Sequence, residues 1–356
     1  MRNVLKRGTE AIGETAMRCG CRFYFGYPIT PQNEMLEYMA AQLPKRGGVF
    51  LQSESELAGI SMLYGAVASG ERGMTSSSSP GISLMQEGIS YMASAELPAL
   101  IVNISRGGPG LGRIIPAQGD YFQAVKGGGH GDYHMVVYAP ASVEEAAKIT
   151  SLAFYVADYY RTPVMILGDS FIGQMMESIP DDVMNNTYPP VEKPWAATGA
   201  GGKERNLVLS APFTNEELIL LNQKLTKKYQ EIAEKETLYE SFQAEGADVV
   251  LVAFGIVSRF CKAVVEELRA EGKKVGLLRP ITLYPFPTKV IQELADTTQV
   301  FFDVEMNEGQ MLEDVKLAVN GKTKVEFFGG GGGFLTTPSM IANKVRELYE
   351  RGLVHG

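Results

Sequence analysis

The segment Arg22-Phe23-Tyr24-Phe25-Gly26-Tyr27-Pro28-Ile29-Thr30-Pro31 joins two different kinds of sequence. Its first half is aromatic and predicts a strand. Its second half predicts the start of a helix, because Thr30 can cap a helix and Pro31 suits the first helical position. A strand followed closely by a helix is the building unit of parallel sheets, so the segment predicts an α/β fold.

The same unit recurs through residues 1–175. We predict strands at 48–52, 73–76, 99–104, 135–138 and 163–167, and helices at 8–18, 57–70, 82–95 and 143–160. Apolar strands that alternate with helices predict a doubly wound parallel sheet with helices on both faces. Functional groups in such sheets lie at the carboxyl ends of the strands, where the loops 27–31, 52–56 and 105–120 fall.

The rest of the chain divides into a linker and a second domain. Residues 176–245 carry several prolines, and 215–243 predict one long charged helix, which we interpret as a solvated linker helix. Residues 246–356 predict a smaller α/β domain with a parallel sheet. Its predicted strands are 248–254, 274–279, 298–304 and 324–328, and its predicted helices are 258–272 and 287–295.

The composition restricts the classes of partner. The chain has 41 acidic and 33 basic residues and a formal charge of −8, which argues against nucleic acid, since phosphate binding needs a basic surface. Basic residues near the N-terminus are not followed by an apolar stretch, so we expect no secretory signal. No apolar run approaches the ~20 residues of a membrane span. We therefore expect a cytoplasmic protein without a membrane partner.

The three cysteines and three histidines predict no metal site. Three thiols are too few for one four-thiolate iron–sulfur cluster. The Cys19-Gly20-Cys21 pair predicts reduced structural thiols, and a redox or metal element is the alternative. No metal ligands are assigned in this chain.

Glu56 is the candidate that could carry chemistry, in the segment Ser53-Glu54-Ser55-Glu56-Leu57-Ala58. It follows a predicted strand and starts a predicted helix, and Gly65 comes nine residues later. On these residues alone, a capping box formed by Ser53 and Glu56 is the simpler interpretation. Glu54, two residues away, is the alternative carboxylate.

A family resemblance shifts the balance toward function. The spacing from Glu56 to Gly65 resembles the pyrimidine-binding domain of thiamine diphosphate enzymes such as the transketolases. The run 26–31 resembles the Tyr-Pro-Ile-Thr-Pro signature of the 2-oxoacid:ferredoxin oxidoreductases. Arg106-Gly107-Gly108-Pro109-Gly110, with Gln118-Gly119-Asp120 behind it, resembles their alpha subunits, and 279–287 resembles their next domain, which has a transketolase C-terminal-like fold. These motifs cover nearly the whole chain in the right order.

The resemblance implies a role for each matching residue. In the family, a glutamate hydrogen-bonds the aminopyrimidine ring of thiamine diphosphate and so promotes loss of a proton from the thiazolium ring. Glu56 is the residue implied here, as catalytic and cofactor-binding group. Pro28, Ile29 and Ser79 are implied to contact the cofactor. Thr30 and Arg106 are implied to contact the substrate, and the Arg106 guanidinium suits a carboxylate.

The second half of the cofactor site is missing from the sequence. Gly168-Asp169-Ser170 is similar to the start of the thiamine diphosphate–magnesium motif, but the third Gly is absent and Asn185-Asn186 follows too closely. Residues 108–112 do not have the spacing of a dinucleotide fingerprint. The resemblance therefore implies a beta subunit with the diphosphate and Mg²⁺ site, and gamma and small ferredoxin-like subunits that include the iron–sulfur clusters. A homodimer of the isolated chain is a further possibility.

The implied reaction is the oxidative decarboxylation of a 2-oxoacid with coenzyme A, giving acyl-CoA, CO₂ and reduced ferredoxin. The Arg106 loop and residues 126–132 resemble the branched-chain (3-methyl-2-oxobutanoate) type. The 2-oxoglutarate type is the alternative, for which Arg113 could supply a second cation. The glycine run 329–333 could contact coenzyme A or be a mobile turn. Two other classes stay open: a self-sufficient transketolase-like enzyme and a non-catalytic scaffold.

Overall fold

The structure is a computed structural model that describes residues 2–201 and 204–355. Residues 1, 202–203 and 356 belong to the predicted domains and linker but lie outside the described part. Within that part, none of the helices is both long and apolar enough to cross a membrane. The domain boundaries at residues 175 and 245 remain predictions.

The first domain is built on the predicted alternation of strands and helices, and these elements are confirmed with ends that differ by a few residues. Its strands are β1 (Asn3–Arg7), β2 (Cys21–Gly26), β3 (Val49–Gln52), β4 (Arg72–Ser77), β5 (Ala99–Ser105), β6 (Val136–Tyr138), β7 (Pro163–Asp169) and β8 (Met176–Pro180). Its helices are α1 (Gly8–Arg18), α2 (Asn33–Gln42), α3 (Glu56–Ala68), α4 (Ser79–Ser94), α5 (Tyr121–Val125), α6 (Val143–Tyr160) and α7 (Ser170–Gln174).

Six of these strands form one parallel sheet in the order β3-β2-β4-β5-β7-β6. The chain leaves β2 for β3 on one side and then returns to place β4 on the other side. This reversal of direction opens a crevice at the carboxyl ends of the strands. The loops that follow β2, β3, β4 and β5 therefore meet at one edge. The β1–β8 antiparallel pair forms a separate two-stranded sheet, which the sequence did not predict.

The helix predicted to begin at Thr30-Pro31 begins instead at Asn33. Residues 27–32 form a turn, because buried Gln32 donates from Nε2 to the Tyr27 carbonyl at 3.3 Å and its Oε1 accepts from the Ser76 hydroxyl at 2.6 Å. The prediction that Thr30 caps this helix is wrong. Its hydroxyl accepts from the side chain of Asn33 at 3.3 Å, not from a backbone amide. The turn between β2 and α2 is thus tied to β4.

The second domain contains a mixed sheet, whereas a fully parallel one was predicted. The elements after residue 204 are α8 (Asn215–Lys235), β9 (Tyr239–Phe242), β10 (Val249–Val252), α9 (Gly255–Ala270), β11 (Val275–Pro280), β12 (Thr282–Tyr284), α10 (Thr288–Leu294), β13 (Val300–Glu305), α11 (Gln310–Val319), β14 (Lys324–Gly329) and α12 (Pro338–Glu350). The sheet order is β14-β13-β10-β11-β9, with β9 antiparallel. Strand β12 is not part of this sheet. It pairs antiparallel with β6 of the first domain.

The long helix α8 is shorter than predicted and is not fully solvated. It ends at Lys235, because residues 239–242 form β9. Its inward face buries Leu225, Tyr229 and Ile232 in the core of the first domain. Lys228 forms a 2.6 Å ion pair with Glu96 at the end of α4. Hydrophobic burial of this face fixes the helix to the first domain, so α8 is not the solvated linker helix that we predicted.

Cys19 and Cys21 are free thiols that are both buried. Burial raises the pKa of the Cys21 thiol to about 12. A thiol is reactive and binds metals as its thiolate, so this microenvironment keeps Cys21 inert. Within the described residues, no group of three or more His, Cys, Asp or Glu side chains is arranged to hold a metal ion.

Asp169 at the end of β7 caps α7. Its Oδ1 accepts from the backbone amides of Phe171 and Ile172 at 2.8 and 3.1 Å, and the side chain is buried. Burial raises the pKa of this carboxyl to about 6. The structure therefore gives Asp169 the role of a helix cap.

We predict that Asp169→Asn gains stability relative to the wild type as the pH rises. An acid whose folded pKa is raised favours folding most at low pH, and this contribution is lost as the pH passes through the folded value of about 6. From pH 5 to pH 8 the difference in unfolding free energy should shift by about 1.4 kcal/mol. Urea unfolding at both pH values measures it, with exposed Asp182→Asn as the control. A difference that does not change with pH would contradict the prediction.

Candidate cofactor and substrate site

Glu56 is the first residue of α3, directly after the short loop that follows β3. Its side chain is only 5% exposed, and Oε1 lies 3.4 Å from the Ser77 hydroxyl at the end of β4. The capping box that pairs Ser53 with Glu56 is not formed. The helix is capped by Ser55, whose hydroxyl accepts from the amide of Ala58 at 3.2 Å. The carboxyl of Glu56 is therefore free of any capping role.

Gly81 in the first turn of α4 lets this carboxyl pack closely against the helix backbone. A Cβ atom at this position would lie 2.0 Å from the Ser77 hydroxyl and 2.4 Å from Glu56 Oε1. In the same turn, the buried hydroxyl of Ser78 has no hydrogen-bond partner among the residues that the structure describes. A buried polar atom without a partner is costly and is typical of a site that a bound group completes. These residues fit the polar edge of an aminopyrimidine ring.

The other predicted cofactor contacts lie at the same edge with different exposure. Glu54 is exposed, unlike Glu56. Pro28 is exposed, and Ile29 and Thr30 are half-buried in the turn after β2. The turn follows β2, and α3 follows β3 after a short loop. Because β2 and β3 are neighbouring parallel strands, the turn and the start of α3 both lie at the carboxyl edge of the sheet, as expected.

Arg106 directly follows β5 and is buried, with 7% exposure. Its Nη1 donates to the Thr30 carbonyl at 2.9 Å and its Nη2 donates to the Leu111 carbonyl at 2.7 Å. Within residues 2–201 and 204–355, the buried Nε has no hydrogen-bond partner. The guanidinium thus joins the turn after β2 to the loop after β5, and it retains a donor that a carboxylate could accept. Arg113 is exposed, and its backbone pairs with that of Gly107.

Ser79 belongs to a polar network that also contains Asn103 and Asp120. Its hydroxyl donates to Asp120 Oδ2 at 2.6 Å, and the same oxygen accepts from Asn103 Nδ2 at 2.8 Å. Burial raises the pKa of the Asp120 carboxyl. Sequence reasoning did not assign a role to Asn103 or Asp120. A signal was present, since Asn103 is a polar residue inside the apolar strand β5.

A cleft of about 680 Å³ separates the site from the second domain. One wall contains Ser79, Asp120 and the glycine-rich loop 108–110. The opposite wall contains Asn307 and the glycines Gly331 and Gly332 of the run 329–333. The predicted coenzyme-contacting run therefore faces the predicted substrate loop.

The sheet reversal has a buried glutamate beside it, and sequence similarity assigns this doubly wound domain to the class of thiamine diphosphate-binding domains. The fold alone is similar to a structure titled "Split gene transketolase, inactive beta4 tetramer", with a TM-score of 0.61 at 16% identity over 96% of this chain and 97% of that chain. Residues 14–240 match the family described as "Pyruvate flavodoxin/ferredoxin oxidoreductase, thiamine diP-bdg". Residues 247–341 match "Pyruvate:ferredoxin oxidoreductase core domain II".

The chain belongs to the 2-oxoacid:ferredoxin oxidoreductase family. It is 48% identical to the ketoisovalerate oxidoreductase subunit VorB of Methanothermobacter marburgensis over 98% of each chain. It is 36% identical to the 2-oxoglutarate synthase subunit KorA of the same organism, over 96% of this chain and 98% of KorA. A solved 2-oxoglutarate:ferredoxin oxidoreductase from Magnetococcus marinus, with 2-oxoglutarate, coenzyme A and succinyl-CoA bound, has a TM-score of 0.85 at 28% identity. This chain is matched over 97% of its length and spans 65% of that chain.

We predict that Gly81→Ala destabilises the chain by about 1–3 kcal/mol, the usual cost of overpacking a buried site. The added methyl group would meet both Glu56 and Ser77. Gly65→Ala is the matched control, since its Cβ would meet nothing within 4 Å, and helix propensity should make it neutral or stabilising by about 0.5–1 kcal/mol. Urea unfolding of the isolated chain measures both changes. Equal responses of the two variants would contradict the packing described for Glu56.

Proposed function

We propose that this chain is the subunit of a 2-oxoacid:ferredoxin oxidoreductase that holds the aminopyrimidine end of thiamine diphosphate. The observation that carries the proposal is the buried carboxyl of Glu56, which packs against Ser77 and Gly81 beside the sheet reversal, next to a buried Ser78 hydroxyl that has no partner among the described residues. The reaction is oxidative decarboxylation of a 2-oxoacid with coenzyme A to acyl-CoA, CO₂ and reduced ferredoxin. Thiamine diphosphate, when bound, supplies the nucleophilic carbon for this chemistry.

The residues of this chain bind and orient the reactants. Glu56 is buried at the start of α3, where its carboxyl can form a hydrogen bond with a ring nitrogen. Ser79 and the turn 28–29 form the wall against the ring. Thr30 and Arg106 lie on the substrate side, where the free donor of the guanidinium suits the 2-oxoacid carboxylate. The turn and the loop are joined by Arg106, so both walls are positioned together.

We propose that a beta subunit supplies the diphosphate and Mg²⁺ site, and that gamma and small ferredoxin-like subunits complete the complex and carry the iron–sulfur clusters. Helix α3, which begins with Glu56, supports an interface there because it is apolar on all sides. Its outer residues Leu57 and Met62 are 48% and 38% exposed, and Gly65 faces open space. A helix that is apolar all round is normally buried. Homodimerisation of the isolated chain and a cytoplasmic location remain predictions.

For the substrate we propose 3-methyl-2-oxobutanoate. The tip of the Arg106 loop carries two large apolar side chains in water, Leu111 at 81% and Ile114 at 61% exposure. Their position beside the guanidinium suits a branched aliphatic substrate better than a second carboxylate. The similarity to a ketoisovalerate oxidoreductase subunit supports this choice. The alternative, 2-oxoglutarate, would need a cation such as Arg113 to turn inward.

We predict that Glu56→Gln lowers the activity of the reconstituted complex at least ~100-fold, the usual scale for loss of an acid–base group. Glu54→Gln is the matched control, because Glu54 is exposed and two residues away. Thiamine-dependent reduction of ferredoxin, or of a dye, measures the rates. Full activity of the Glu56→Gln complex would favour a non-catalytic scaffold. Activity of the purified chain alone would establish a self-sufficient enzyme instead.

We predict that the complex has a kcat/KM for 3-methyl-2-oxobutanoate at least ~10-fold above that for 2-oxoglutarate, as apolar contacts of this size allow. Leu111→Ser should reduce this preference, whereas Arg113→Ala should leave it unchanged. Steady-state turnover of both acids measures the ratio. If Arg113→Ala impaired only 2-oxoglutarate turnover, with 2-oxoglutarate the better substrate, the 2-oxoglutarate assignment would replace this one.

A further inference from the structure

The segment Gln118-Gly119-Asp120 connects the substrate loop to the second domain. The buried Gln118 amide donates to the Phe254 carbonyl at 3.0 Å and accepts from the Met306 amide at 3.1 Å. Its backbone carbonyl accepts from Asn307 Nδ2 at 2.9 Å. Buried polar contacts of this kind are satisfied only in one arrangement of the partners. The second domain therefore fixes where this segment lies.

Asp120, at the other end of the segment, faces the first domain. Its Oδ2 is the common acceptor for the Ser79 hydroxyl and the Asn103 side-chain amide. Both donors are buried at the carboxyl ends of β4 and β5. Buried donors need an acceptor, and this one oxygen serves both of them. Asp120 thus anchors the end of the loop to the start of α4.

The Ser79 hydroxyl connects Asp120 to Arg106 through hydrogen bonds to both residues. Its single proton goes to Asp120 Oδ2 at 2.6 Å rather than to the Arg106 carbonyl at 3.3 Å, since the shorter contact is the stronger hydrogen bond. The hydroxyl oxygen is then free to accept from the Arg106 amide at 2.9 Å. Asp120 thus holds Ser79, Ser79 holds the backbone of Arg106, and the Arg106 guanidinium contacts Thr30.

We propose that Asp120 is a positioning residue, which holds Arg106 in its substrate-binding orientation through Ser79, and that the second domain secures it through Gln118. The role for the substrate rests on the proposed function. The loop between Arg106 and Asp120 contains five glycines and needs such anchors, because glycine lets the backbone adopt many conformations. Asp120 restrains this loop at its far end.

The structural half of the proposal can be tested on the isolated chain, without turnover. Hydrogen–deuterium exchange of the peptide that contains the Arg106 amide should be at least ~10-fold faster in Asp120→Ala, since the acceptor that orients the Ser79 hydroxyl toward this amide is lost. Asp120→Asn retains an acceptor oxygen and should restore most of the protection. Exposed Asp182→Ala controls for loss of a negative charge. Unchanged exchange in Asp120→Ala, or no rescue by Asp120→Asn, would overturn the proposal.

The functional half is tested in the reconstituted complex. Asp120→Ala should raise the KM for the 2-oxoacid about 10-fold or more while kcat falls less than about 3-fold, since Arg106 binds substrate and does not exchange protons. Asp120→Asn should come within about 3-fold of wild type. A fall in kcat with unchanged KM would overturn the role of Asp120 in substrate positioning. Failure of the proposed function and failure of the Asp120 proposal can be told apart. The first would appear as full activity of the Glu56→Gln complex. The second would appear in the KM and the exchange rates of the Asp120 variants.

Discussion

The arrangement of the candidate site depends on the burial of one carboxyl group at the reversal of a parallel sheet. Burial of Glu56 is expensive unless another group completes its hydrogen bonding, and within the described residues the hydrogen bond recorded for its carboxyl comes from the Ser77 hydroxyl. The surrounding positions are adapted to this cost. Ser55 forms the helix cap, Gly81 allows Glu56 to pack closely, and the turn 27–32 is tied to β4. The positions around Glu56 are thus held by contacts between several elements.

Rigidity at this edge of the sheet comes from the second domain as much as from the first. The loop that follows β5 is rich in glycine and has few side chains with which to pack. Its position is set at one end by Arg106 and at the other by Gln118 and Asp120. The domain interface is therefore part of the site, and this arrangement explains why family motifs occur on both sides of it.

The sequence predicted the order of elements and the position of Glu56 because periodicity and turn residues are local signals. It failed where a distant contact decides the structure. The start of α2 depends on Gln32 reaching Ser76, the antiparallel strand β9 depends on pairing with β11, and the roles of Asn103 and Asp120 depend on Ser79. The choice of Glu56 over Glu54 came from family spacing, and only the fold reveals that one is buried and the other exposed.

The pairing of β12 with β6 limits how the two domains of this chain can be separated or exchanged. A chain cut at the apparent boundary near residue 245 would remove an edge strand from the first sheet and expose the unpaired backbone of β6. The two domains are consequently not independent structural units, because the first sheet includes a strand from the second domain. A chimaera that joined this first domain to an unrelated second domain would have to supply a replacement for Thr282–Tyr284 in the same antiparallel register.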